Sequence, residues 1–187
     1  MMRKTVIGFA CCLLGMATIA AAQDNKGKDE HRTVTQVLDQ SVSNAEHEFV
    51  PAAAAMPEDK FGFAPTSGEF KGVRTFAEQI KHVAAVNYLY GAAILTEKPP
   101  VDVRDGPASI KTKAEIISYL KDSFAYVHKS IQTINERNLV EPVKSPYGEG
   151  SVTRLGVAMS VGAHCSDHYG QMIEYLRMNG VVPPGSR

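Results

Sequence analysis

Apolar residues recur at helical spacing in four separate stretches of the chain. In the first, Val34, Leu38, Val42, Ala45 and Phe49 share one face, which predicts a helix from about Thr33 to Ala54. Pro51 is expected to kink that helix or end it early. In the second, Phe76, Ile80, Val83, Val86 and the pair Leu89–Tyr90 predict a helix from near Thr75 to near Leu95, closed off by Pro99 and Pro100. The third stripe, Ile116, Leu120, Phe124, Val127, Ile131 and Ile134, predicts a helix from after Thr112 to about Arg137. The fourth helix should run from about Thr153 to Asn179. Gly180 suits the left-handed residue just past a helix end, and Pro183 and Pro184 bar continuation. Thr75 with Glu78 and Thr112 with Glu115 have the spacing of capping boxes. Pro57, Gly62, Pro65 and Gly68 mark one long connection, and Pro142, Pro146, Gly148 and Gly150 another. No alternation of strand type reaches comparable length. The expected fold class is all-α, a four-helix bundle.

The N-terminus has a different character. Arg3 and Lys4 precede an apolar run from Val6 to Ile19, and Ala20, Ala21 and Ala22 supply small residues for cleavage. Residues 1–22 are therefore expected to be a cleavable signal peptide, 23–32 a polar flexible leader, and 33–187 the bundle. The expected destination is the periplasm or the exterior, with no membrane association after cleavage. The whole sequence has 20 basic and 20 acidic residues; cleavage removes two basic ones and leaves 18 against 20, a net charge of −2. That balance argues against nucleic acid as a partner. Cys11 and Cys12 would leave with the signal, so Cys165 remains alone and no intramolecular disulfide can form.

Candidate chemistry gathers on the fourth helix. His164, His168, Gln171 and Tyr175 follow at steps of four, three and four, so they share a face with Val157 and Val161. Two imidazoles one turn apart can hold a metal ion from one side, and His82 on the second helix, beside the small residues Ala84 and Ala85, is a candidate third ligand. Three neutral imidazoles with an open coordination position make a reactive centre, and imidazole suits zinc, nickel, copper and iron alike. From spacing alone the histidines are also open to a structural reading, as hydrogen-bonded or surface residues. Gln171 would orient a ligand or a bound water. Glu78 would serve either as a carboxylate beside His82 or only as a cap. His128, at the border of the third stripe, would either face the same interior as an acid–base group or stand at the boundary without a role. Cys165 points about 100° away from His164 around the helix and reads as a small buried residue. Tyr88, Tyr90, Tyr119, Tyr126, Tyr169 and Tyr175 are available to line a cavity or fill the core.

Two segments carry a family resemblance: FAEQIKHVAAVNYLYGAAIL, with His82, and AHCSDHYGQMIEYLRMNGVVPP, with His164 and His168. The chain resembles the DinB-like (DinB/YfiT) superfamily from about Val34 to Pro184. The resemblance implies a four-helix bundle with one divalent metal, often zinc or nickel, on His82, His164 and His168. It leaves the reaction open. Some members look like transferases or isomerases that use small thiols, others like metal-dependent hydrolases. Export favours hydrolysis of a small-molecule substrate, because small thiols are maintained mainly in the cytosol. A non-catalytic metal- or ligand-binding bundle is the alternative. Dimers formed through bundle faces among such proteins make a homodimer the expected assembly.

Overall fold

Four threonines begin four helices. The computed structural model describes residues 31–103 and 105–186, and the expected signal peptide and most of the leader lie outside them. Thr33 caps α1 (Val34–Ala55), Thr75 caps α2 (Phe76–Leu95), Thr112 caps α3 (Lys113–Ile131) and Thr153 caps α4 (Arg154–Met178). Each threonine hydroxyl accepts the backbone N–H three residues on. In the first three, Gln36, Glu78 and Glu115 reach back to the cap residue's own N–H. Each such cap contributes about 1 kcal/mol.

The apolar stripes then pair the helices. Both α1 and α2 pack against α3 and α4, so α1 lies diagonal to α2 and α3 diagonal to α4. Phe49, Phe76, Ile80, Leu120, Phe124 and Met172 fill the centre and are fully buried. Burying a side chain of this size stabilises by about 1.5–3 kcal/mol. Gly91 lets α2 and α3 approach closely: a Cβ there would lie 2.6 Å from Cδ1 of Tyr126. Beyond α4, Gly180 adopts φ of 71°, as its place past the helix end predicts. Among the described residues no helix is long and apolar enough to cross a membrane.

The structure settles one open point and departs from the expected elements in two places. α1 runs through Pro51 to Ala55, because Phe49, Ala52 and Ala53 are fully buried and hold that turn against the core. α3 stops at Ile131 rather than near Arg137. There Asn138 donates to the Thr133 carbonyl and accepts from the Asn135 N–H, drawing the backbone into a turn. Ile134 still reaches the core from that turn. A small hairpin also forms, β1 (Pro142–Lys144) antiparallel to β2 (Ser151–Thr153), with Val143 opposite Val152. Three-residue strands are too short to show alternation. Arg154 ties this hairpin down, donating to the carbonyls of Ile94 and Asn138 and to the Glu141 carboxylate.

Candidate metal centre

Helical phase puts His164 and His168 on the side of α4 that meets α2, and His82 faces them from α2. The Nε2 atoms of His82 and His164 are 3.4 Å apart. One ligand atom from each of the three histidines can be chosen so that all lie within 4.8 Å of one another. Ring centroids are separated by 5.2 Å (His82–His164), 5.0 Å (His82–His168) and 4.5 Å (His164–His168), with the planes inclined by 57–69°. A tetrahedral ion with metal–nitrogen bonds of about 2.0–2.1 Å requires its nitrogens roughly 3.3–3.4 Å apart. The His82–His164 pair already meets that spacing and the third ligand atom lies within 4.8 Å of both, so the donor set fits a divalent ion of this kind. His168 is buried, whereas His82 and His164 are partly exposed, which leaves an approach from solvent.

The arrangement behind His168 was not visible in the sequence. Its Nδ1 lies 2.6 Å from Oε1 of Gln79, an acceptor, and so donates to it. Gln79, only 2% exposed, in turn donates through Nε2 to Oε1 of Gln171 at 2.8 Å. Gln171 donates to Oδ2 of Asp167 at 3.1 Å. The one available signal was position: Gln79 stands three residues before His82, on the same side of α2. Gln171, assigned above to a ligand or a water, spends both ends of its amide in this chain of bonds.

Burial keeps the imidazoles of His164 and His168 neutral. Burial, reinforced by the positive charge that His168 and His82 would carry, lowers the His164 pKa to about 3. Burial, then His82, lowers that of His168 to about 4, partly offset by Asp167. Neutral imidazoles are the form that binds metal, so no proton has to be displaced from these two at neutral pH. The Tyr90 ring packs edge-on against His164, with centroids 5.9 Å apart, and its hydroxyl accepts from Tyr147 at 3.0 Å. Burial and that hydrogen bond raise the Tyr90 pKa and keep the phenol protonated. Cys165 is buried, donates to Oδ1 of Asn87 at 3.8 Å, and has its thiol pushed up to about 12 by burial, so it is no nucleophile.

Two further candidates fall outside the centre. Glu78 is a cap, its carboxylate accepting the Thr75 N–H at 2.8 Å. His128 does not face the three histidines. It sits between α3 and α1, with Nδ1 2.7 Å from Asp39 and Nε2 3.2 Å from Glu46. α3 is diagonal to α4, so the border of its stripe turns to α1 instead. Replacing His128 with alanine should leave metal content unchanged while lowering stability by about 1 kcal/mol, read from urea unfolding.

A cleft of about 860 Å³ opens between the C-terminal half of α2 and the hairpin loop, lined by Leu89, Ala93, Thr96, Lys98, Lys144 and Pro146 among others. None of the three histidines lines it. Leu89 and Ala93 nevertheless continue the face of α2 that carries His82, at seven and eleven residues' distance.

The chain is similar in fold to several solved structures. A DinB-like protein from Bacillus cereus ATCC 10987 matches with a TM-score of 0.68 and 13% identity, over 83% of this chain and 98% of that one. A conserved protein from Enterococcus faecalis matches with a TM-score of 0.59 and 19% identity, over 79% and 97%. A DinB-like protein from Bacillus subtilis matches with a TM-score of 0.57 and 15% identity, over 75% and 92%. No curated protein matches in sequence. The model of the DinB superfamily matches residues 42–172, well over half of the chain and inclusive of His82, His164 and His168. The chain belongs to the DinB superfamily.

Proposed function

We propose that the chain is an exported metal-dependent hydrolase, holding one divalent ion, zinc or nickel, on His82, His164 and His168. The observation that carries this reading is the convergence of three imidazole nitrogens within 4.8 Å across α2 and α4, with no fourth protein ligand among the described residues. When bound, a divalent ion would supply Lewis-acid activation of a water and of a substrate carbonyl. The protein's part is to keep His164 and His168 neutral by burial, to hold His168 through Gln79, and to wall the back of the centre with Tyr90. A small substrate would approach from the side of His82 and His164, which are only partly buried. Arg3, Lys4, the apolar run and Ala20–Ala22 support export.

The test is to prepare the protein from its native compartment, weigh the intact chain and screen the metal-loaded form against ester, amide and thiol substrates. A mass that begins at Gln23, with ester or amide turnover lost in His164→Ala, is the expected result. Turnover that requires a small thiol would replace hydrolysis with group transfer. Metal binding without turnover on any of the three classes would leave a binding bundle.

A further inference from the structure

His168 has a hydrogen bond behind it, to Gln79, and the bond belongs to a series with a direction. Asp167 offers only acceptor oxygens, so the Gln171 amide must turn its NH2 toward it. The Gln171 carbonyl then faces α2 and requires the NH2 of Gln79, which leaves the Gln79 carbonyl toward His168. A carbonyl accepts and never donates, so the proton of His168 must sit on Nδ1 and the lone pair on Nε2. Reversing either amide would set carbonyl oxygen against carbonyl or carboxylate oxygen.

We propose that Asp167, Gln171 and Gln79 form a one-way hydrogen-bond relay that selects the Nδ1–H tautomer of His168 and so holds its Nε2 lone pair ready for a divalent cation. Gln79 is the positioning residue, and Asp167, exposed on α4, sets the sense of the whole series. The relay begins and ends on α4 but passes through α2, so it also locks the two ligand-bearing helices in register. Asp167 and Gln171 are four apart on α4, as such a contact requires. An amide rather than a carboxylate beside His168 holds the ring without placing a negative charge on it. The relay extends the metal-site reading and rests on it for its purpose, though not for its existence.

The test is imidazole nitrogen NMR on the metal-free, purified chain, followed by zinc titration. In the native protein His168 should show a protonated Nδ1 and an unprotonated Nε2. Gln171→Ala, at the surface, frees the Gln79 amide to turn over, and Asp167→Asn removes the acceptor-only end. Both should give a mixture of His168 tautomers. Gln79→Ala should do the same and lower zinc affinity by about 10- to 100-fold, the range for partners behind a metal ligand. Gln79→Glu should keep the native tautomer, because a carboxylate accepts the same proton. Circular dichroism would check folding, and if Gln79→Ala unfolds, the two surface variants carry the test. An unchanged tautomer in Gln171→Ala and Asp167→Asn, with zinc affinity within about twofold of native, would overturn the relay. If the native chain shows the expected tautomer but binds no divalent ion, the relay stands and the metal reading fails.

Discussion

Replacing His82 with alanine is expected to abolish the stabilisation that zinc confers on this protein. His164 and His168 remain one turn apart in that variant and keep a local two-ligand site. What is lost is the ligand that brings α2 into the coordination. Partners behind a metal ligand are worth roughly 10- to 100-fold in affinity, so losing a ligand itself should cost on the order of 1,000-fold. At a free zinc concentration about 1,000 times the native dissociation constant, binding stabilises the native state by about 4 kcal/mol. For a chain of this size that corresponds to a rise in Tm of roughly 8–16 °C. Calorimetry with and without zinc reads the effect directly. The native protein should show the rise and His82→Ala almost none. An equal rise in both would remove His82 from the site.

Acid should weaken the metal-free protein well before its carboxylates begin to titrate. His164 and His168 have folded-state pKa values of about 3 and about 4, below the ordinary 6.5. The unfolded chain therefore binds more protons than the folded chain between those values, and stability falls as pH falls. The contribution is complete above pH 6.5, declines through pH 5 and is exhausted once the folded-state values are passed. Discounted for solvent screening and for coupling between the rings, the loss from pH 7 to pH 5 is on the order of 2 kcal/mol, or roughly 4–8 °C in Tm. Urea unfolding at a series of pH values measures it. His164→Ala/His168→Ala should flatten the curve in this window, and a curve as steep as the native one would assign the acid sensitivity elsewhere. Over the same interval the zinc affinity contributed by these two rings should change little, since they carry no proton to displace.

The helices were legible as apolar stripes, and two of them, α2 and α3, were written a second time as a threonine with a glutamate three residues on. The stripe alone misled at the end of α3. Ile134 belongs to the core but reaches it from a turn, and the Asn135–Asn138 contact that makes the turn depends on side-chain hydrogen bonds that periodicity does not register. Pro51 did not end α1 early, since the turn that holds it packs Phe49, Ala52 and Ala53 into the core. The three histidines were legible as a set only through spacing and resemblance together. Gln79 was not, because a lone amide on a largely apolar helix face has no pattern of its own, and its role exists only once α4 lies across from it. The same holds for His128, whose partners Asp39 and Glu46 stand on another helix.

Cys165 has a use that its inertness creates. It follows His164 directly, lies at the α2–α4 seam against Asn87, and is the free cysteine among the described residues. A sulfhydryl reagent can reach it only when that seam opens. Its modification rate thus counts the excursions in which the ligand-bearing helices part, molecule by molecule and without any introduced probe. A bound ion that bridges α2 and α4 would slow that clock, whereas one held by α4 alone would leave it running at the same pace.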